Sequence, residues 1–427
     1  MERSEIRKLF GFYENELSNQ ILSFWLPRCL DTQYGGYINC FDNSGRNLVS
    51  RDKYTWSQGR FVWMFAKLAQ LDAPVFTAAQ RAHFLELAKS GRDFLMAHCL
   101  LGEDDWRCTF LMEADGTPKK VDGCDTLDMS VYADCFVVIG LAKYAEVAGD
   151  EAAYSFADRL YRSICERIER GDFNTLPYPL SPAYRAHGIP MILSNVTHEL
   201  HAAAKVLHPE ACAELLRRLD GFTQDILTHF VDENNVIHEV ITRENTFFPD
   251  ILGQHANPGH TIEDMWFMVD AADLLHRQEV ETKACDIALK AFEIGWDQQM
   301  GGLLHFSGIY GGKPEGNLGQ TAEEPMCRQL SGWDDKLWWI HAEALYTSLL
   351  CYSRTGDERF LQWHERVFGY TFETFPNRDP EIREWMQIRM RDGRPQEKVV
   401  ALPVKDPFHI TRDLCLILEL LYRMMKG

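Results

Sequence analysis

The 427 residues carry 44 lysines and arginines against 63 aspartates and glutamates, a formal charge of −19. That balance argues against nucleic acid or an anionic membrane surface as a partner. The length admits two ordinary domains or one large barrel, and no stretch approaches the ~20 uncharged apolar residues of a membrane span.

The chain opens on Met1-Glu2-Arg3-Ser4-Glu5, polar and leading into an amphipathic helix rather than a signal peptide. Apolar periodicity and end signals predict twelve helices: Ser4–Trp25, Trp56–Leu71, Thr77–Cys99, Asp128–Val147, Asp150–Arg170, Pro190–Val206, Pro209–Phe230, Thr261–Leu275, Glu279–Gly295, Asp335–Tyr352, Asp357–Phe375 and Ile410–Met425. In the second, Phe61, Met64, Phe65 and Leu68 fall on one face. In the last, the most apolar run, Leu414 to Met425, is broken by Glu419 and Arg423. The twelve cysteines are scattered singly, with no Cys-x-x-Cys pair. Cys135, Cys285 and Cys415 sit in apolar helical stretches as small hydrophobes, which points to a reducing, cytoplasmic compartment. The basic cluster from Arg383 to Arg394 is interrupted by acids and reads as a solvated loop.

The connections alternate in length. After even-numbered helices they are short, from about one residue to seven, and after odd-numbered ones roughly twenty to forty. Gly149-Asp150 and Gly356-Asp357 each place a glycine after one helix and a capping aspartate before the next, the chemistry of a tight helical hairpin. With helices alternating in direction, every long loop lies on one face, together with the N-termini of the even helices. That is the pattern of an (α/α)6 barrel, six inner helices ringed by six outer ones. An open solenoid predicts short loops on both faces and a sequence period, which is not found. Tyr34-Gly35-Gly36-Tyr37-Ile38 and Met300-Gly301-Gly302-Leu303-Leu304 read as turns entering short strands. Val236 to Val240 and Glu384 to Ile388 read as strands, so short hairpins are expected on the long-loop face. No linker divides the chain, which predicts one catalytic domain over 1–427.

Reactive side chains gather at or near the starts of the even helices. Arg60 lies in the second, His198 in the sixth, and His260 and Glu263 open the eighth. Trp338, Trp339, His341 and Glu343 lie in the tenth, and His409 and Arg412 open the twelfth. In a barrel they converge on one pocket, at helix N-termini that favour developing negative charge. Each has a plainer reading, since a helical histidine, one of 15 here, is more often structural than catalytic. Two His-x-x-charge pairs, each opening an inner helix, shift that balance. Glu263, one turn after His260, is placed to orient its imidazole. Trp338-Trp339 is either core or, with neighbouring residues about 100° apart, a sugar-stacking platform. A metal would draw two ligands from His260-x-x-Glu263, but zinc wants three or four and nearby arginines oppose a cation, so no metal is expected.

Four stretches carry a family resemblance: Tyr54-Thr55-Trp56-Ser57-Gln58-Gly59-Arg60, Asn257-Pro258-Gly259-His260-Thr261-Ile262-Glu263, Lys336-Leu337-Trp338-Trp339-Ile340-His341-Ala342-Glu343, and Pro407-Phe408-His409-Ile410-Thr411-Arg412. In that order, over nearly the whole chain, they resemble the N-acylglucosamine 2-epimerase family, whose relatives include cellobiose 2-epimerases and mannose and sulfoquinovose isomerases. The resemblance implies an (α/α)6 barrel and proton transfer without metal or redox cofactor. It implies His260 and His409 as paired acid/base groups, Arg60 as the group steadying the sugar oxygens, His198 as an aid to ring opening, and Glu263 and Arg412 as their partners. Tyr54, Trp338, Trp339 and His341 fall in the same motifs as substrate-binding candidates. A homodimer is what the family suggests.

The chemistry agrees. A sugar C2–H is removable once the ring opens to an aldehyde, and the enediolate so formed needs a cation or helix dipole. Imidazole can take and return a proton near neutral pH, and inversion needs a group on each face. Return to C1 instead would make an aldose–ketose isomerase. Cellobiose epimerases share a Trp shortly before the last catalytic His; here Ala401-Leu402-Pro403-Val404-Lys405 has no aromatic, which disfavours a disaccharide. No Gly-rich phosphate loop is present. The expected activity is interconversion of N-acetylglucosamine and N-acetylmannosamine, with an unacylated hexose as the alternative substrate. Other classes are an (α/α)6 glycoside hydrolase, which would need two carboxylates such as Asp122, Asp125 or Asp128, and a non-catalytic sugar-binding protein.

Overall fold

The computed structural model describes residues 1–426. Its twelve long helices match the predicted ones in number and order. α1 covers 3–25, with a π turn at Glu16–Ile21. It is followed by α2 (Thr55–Gln70), α3 (Ala78–His98), α4 (Val131–Ala148), α5 (Glu151–Arg170) and α6 (Gly188–Leu207). α7 (Cys212–Asp225) ends in a second π turn, Ile226–Phe230. α8 (Pro258–Leu275), α9 (Gln278–Gly295), α10 (Trp338–Thr355), α11 (Glu358–Thr374) and α12 (Phe408–Lys426) complete the set.

The packing order closes a ring. α2 packs on α4, α4 on α6, α6 on α8, α8 on α10, α10 on α12, and α12 back on α2. Each odd helix lies outside, against the even helix next to it in sequence, and α1 packs on α12. This is an (α/α)6 barrel. The even helices α4 and α8 are buried along nearly their whole length, whereas outer α5 has a solvent face opposite a buried stripe of Tyr154, Ala157, Leu160, Tyr161 and Ile164. At the short connections, Gly149 (φ 66°) and Gly356 (φ 69°) take the left-handed conformation that ends α4 and α10. Asp150 then accepts from the Ala153 N–H and Asp357 from the Arg359 N–H, capping α5 and α11. Among the described residues no helix is long and apolar enough to cross a membrane, and all twelve cysteines are free thiols.

The strands are short and antiparallel, and most join one long loop to the next rather than folding back locally. β1 (Lys53–Tyr54) pairs with β2 (Leu111–Met112), which forms a local hairpin with β3 (Pro118–Lys119). β4 (Tyr184–Ala186) pairs with β5 (Val240–Thr242), β6 (His255–Ala256) with β7 (Ser307–Gly308), and β8 (Lys336–Leu337) with β9 (Ile388–Arg389). A bridge from Ser130 to Thr175 links the second loop to the third. The Asn43 side chain bonds the backbone of Gln387 and Ile388, linking the sixth loop to the first. The six loops are thus tied into one belt around the mouth of the barrel.

Two of these loops share a device. Asp31 and Asp297 each begin a turn that runs through two glycines in left-handed conformation. The fully buried Lys53 reaches Asp31 (2.9 Å) and the Gly35 carbonyl (2.7 Å). The fully buried Lys336 reaches Asp297 (3.2 Å) and the Gly302 carbonyl (3.2 Å). Each buried ammonium is held by the turn that precedes it, Lys53 donating also to the Ala114 carbonyl of the second loop, which fixes the strand leading into an inner helix.

Candidate active site

At the belt end, the inner helices enclose a cavity of about 650 Å³ lined by Arg60, His260, Glu263, Trp338, Trp339, Asp406, His409 and Arg412, among others. Local sequence aims the two histidines. Asn257 accepts from the His260 N–H (3.1 Å) and Pro258 opens α8, so His260 stands on the first turn. Asp406 accepts from the Phe408 N–H (2.8 Å) at the start of α12, one residue before His409. Its other oxygen takes a hydrogen bond and ion pair from Arg60.

The two imidazoles are held alike. Glu239 Oε1 accepts from His260 Nδ1 at 2.9 Å, and Glu343 Oε1 from His409 Nδ1 at 2.6 Å. A carboxylate at Nδ1 fixes the N–H there and leaves Nε2 as the basic nitrogen. Arg60 Nη2 donates to His409 Nε2 at 3.2 Å. Burial, with Arg60 and Arg412 beside it, lowers the His409 pKa to about 3 despite Glu263, so the ring rests neutral. For Glu239, burial alone would raise the carboxyl; His260 and His187 outweigh it and hold the group well below the usual carboxylate range. Trp339 lies between the walls, its ring 5.6 Å from His260 and 5.6 Å from His409, centre to centre. Trp338 also lines the cavity, fixed by its Nε1 donating to the Asp406 carbonyl at 3.0 Å.

The orienting partner of His260 differs from the expected one. Glu263 is drawn instead to Arg412, whose guanidinium bridges Glu263 and Glu343; the His260 partner is Glu239, from a loop. Nothing in the spacing of residue 239 signals this role, because the pairing is made across loops. Three other expected members lie elsewhere. His198 is ten residues into α6, about 15 Å down the axis from the mouth, and does not line the cavity. His341 is two residues beyond Trp339, about 200° round the helix. It points outward, fully buried against Tyr370 and Phe375, where Nδ1 donates to the Leu337 carbonyl (2.7 Å) and Nε2 accepts from the Leu303 N–H (2.9 Å). Tyr54 packs on Phe110 beneath the β1–β2 pair. A histidine not singled out by the sequence, His305, does line the cavity; its buried Nδ1 has no hydrogen-bond partner, and burial lowers its pKa to about 3.

Among the described residues, Glu263, Glu343 and His409 offer ligand atoms close enough to share an ion, but Arg412 already sits between the two carboxylates and supplies the cation. Asp122, Asp125 and Asp128 do not line the cavity. The carboxylates that face the histidines are held by histidine or arginine, which suits proton transfer at carbon better than the free acid and base that glycoside cleavage requires.

Residues 36–411 match the family described as N-acylglucosamine 2-epimerase (GlcNAc 2-epimerase). The chain is 30% identical over 413 residues to a Bos taurus protein named N-acylglucosamine 2-epimerase, covering 96% of this chain and 90% of that one. It is 28% identical to the Homo sapiens protein of the same name, over 96% and 89%. Among solved structures, a cellobiose 2-epimerase from Bacillus thermoamylovorans B4167 superposes with a TM-score of 0.75 at 20% identity, over 98% of this chain and 100% of that one. The sequence match over most of the chain and the shared barrel lead to one statement: this chain belongs to the N-acylglucosamine 2-epimerase family.

Proposed function

We propose that the protein interconverts N-acetylglucosamine and N-acetylmannosamine by moving the proton at C2 of the ring-opened sugar. The observation that carries this reading is the pair of imidazoles flanking Trp339, each with Nδ1 donating to its own buried glutamate. One imidazole Nε2 takes the C2 proton. The C–H electron pair becomes the C1–C2 double bond, and the carbonyl electrons move to O1. Arg60, partly buried with its guanidinium over the Phe136 ring at 4.1 Å and steered by Asp406, is the cation for that oxygen. The other imidazole, protonated at Nε2, delivers its proton to the opposite face, and the epimer closes its ring. Trp338 and Trp339 give the sugar a stacking surface. His305 lines the cavity where His198 does not, and takes the place expected of His198 as the histidine that aids ring opening. The segment before the last histidine contributes Ala401, Leu402 and Val404 to the cavity wall and has no indole of its own, which suits an acetyl methyl better than a second sugar ring. The free thiols favour a cytoplasmic setting.

The test is NMR of sugars incubated with the protein in D2O. Deuterium at C2 of both N-acetylhexosamines is expected. Exchange only with mannose, glucose or fructose would move the substrate to the unacylated hexoses. Release of reducing ends from glycosides without exchange would overturn the proposal.

A further inference from the structure

Behind each imidazole the structure repeats one arrangement with a different cation. On the His409 wall, Glu343 is backed by Arg412, which is shared with a second acid, Glu263. On the His260 wall, Glu239 faces His187, which is shared with a second acid, Asp264. His187 Nε2 lies 2.8 Å from Asp264 Oδ2, and His187 Nδ1 lies 3.6 Å from Glu239 Oε2. All three side chains are buried, His187 and Asp264 completely. Neither His187 Nδ1 nor Glu239 Oε2 has a hydrogen-bond partner, so each other's charge is what they face. A neutral imidazole can donate to one carboxylate; a ring with a carboxylate at each nitrogen is satisfied when both carry hydrogen. The β4–β5 ladder builds the contact, with Ala186 opposite Val240 and the His187 N–H donating to the Glu239 carbonyl at 2.9 Å. Asp264 stands one turn after His260 on α8, so the chain of contacts leaves that helix and returns to it.

We propose that His187 is a positioning residue for His260: its buried imidazolium is the counter-cation that keeps Glu239 ionised, as Arg412 does for Glu343 on the facing wall. An ionised Glu239 holds the proton of His260 on Nδ1 and so keeps Nε2 basic toward the cavity. The kinetic part of this inference rests on the epimerase reading; the protonation of His187 does not. One wall is therefore backed by a cation that does not titrate and the other by one that does. The titratable groups facing His187 are Glu239 from the loop and Asp264 from α8. The end of α7 contributes the uncharged Phe230 ring at 5.8 Å, and Arg185 on β4 is turned to Asp225. Burial alone would lower the His187 pKa; the two carboxylates override it and raise it to about 9. The charge is thus present below that value and lost as pH rises through it.

The test uses the whole protein labelled with 15N-histidine, alongside wild type, His187→Gln and Asp264→Asn. In wild type, His187, assigned by difference from His187→Gln, is expected to show two N–H nitrogens at pH 7 and to lose one near pH 9. A neutral tautomer at pH 7 would overturn the proposal, whatever the substrate. In deuterium-exchange kinetics, wild-type kcat is expected to fall above pH 9. Asp264→Asn, which is isosteric, should move that limb toward neutral pH. His187→Gln should lose the limb and lower kcat at all pH by at least about tenfold, within the span of acid/base catalysis, with KM little changed. Should His187→Gln fail to fold, Asp264→Asn carries the test alone, and an alkaline limb identical to wild type in that variant would overturn the proposal. Absence of exchange with any sugar, together with a doubly protonated His187, would remove the epimerase reading and leave the ion pairing standing.

Discussion

Gly59→Ala offers a sharp test of how the barrel positions its arginine. Gly59 precedes Arg60 on α2, where α2 crosses α4. A Cβ at residue 59 would lie 2.2 Å from the Phe136 carbonyl oxygen and 2.8 Å from the Val137 nitrogen. From the other side, a Cβ at Gly140 would lie 2.4 Å from the Gly59 carbonyl oxygen. These are backbone atoms, so no rotamer change relieves the overlap, and the helices must part by about 1 Å to restore ordinary contact. Overpacking of this kind costs about 1–3 kcal/mol, offset by at most ~1 kcal/mol from the better helix propensity of alanine. The larger effect is on geometry. Arg60 moves with its backbone relative to His409 on α12, and a displacement near 1 Å at a reacting centre costs roughly 10²-fold in rate. Turnover followed by deuterium exchange, beside a thermal melt, is expected to show a modestly lowered midpoint and a kcat reduced about a hundredfold. A variant as active and as stable as wild type would refute the claim that this crossing sets the arginine.

Four further outcomes follow from the same structure. His260→Ala and His409→Ala are each expected to lower kcat by at least about 10²-fold with the fold retained, measured by exchange and circular dichroism. Glu343→Gln removes one acid from beside Arg412, so urea unfolding should show a loss of about 3 kcal/mol as well as a fall in kcat; a neutral change would mean the guanidinium does not depend on it. Stability should decline as pH falls below 6.5. His305, His341 and His409, lowered to about 3, and His364, lowered to about 4, are buried and neutral, while their unfolded forms take up protons. Each steepens the dependence by up to ~1.4 kcal/mol per pH unit between its folded and unfolded pKa. His364→Gln should flatten the slope in a pH series of urea titrations.

Much of this architecture was readable beforehand, because helix periodicity and alternating loop length are local signals. All twelve helices have their counterparts, with ends displaced where tertiary pairing intervenes: α10 was expected from Asp335, but Lys336–Leu337 pairs as a strand and the helix begins at Trp338. The site was readable where its residues open helices. His260, His409, Arg60, Glu263, Arg412 and the Trp pair meet in one cavity. His198 and His341 lie outside that cavity, because nearness in sequence to a helix start fixes neither depth along the axis nor angle around it. Glu239 and His187 were invisible because their partnership depends on the register between two loops fifty residues apart, which no periodicity encodes. The paired Asp and Lys of the first and fifth loops carry no sequence signal for another reason: the spacing from Asp31 to Lys53 differs from that between Asp297 and Lys336, so the repeat has no fixed period.

The cross-loop ladders bear on how a sugar gets in and out. Each long loop is stitched to the neighbours on either side, like staves under a hoop, so a backbone segment that swings aside must first break pairing with the next. Passage through such a rim falls to side chains, which turn in picoseconds to nanoseconds, rather than to a hinged flap moving in microseconds to milliseconds. Under the proposed mechanism the proton-transfer steps are accordingly expected to set turnover, and a primary isotope effect from C2-deuterated sugar should be expressed in kcat rather than hidden behind product escape.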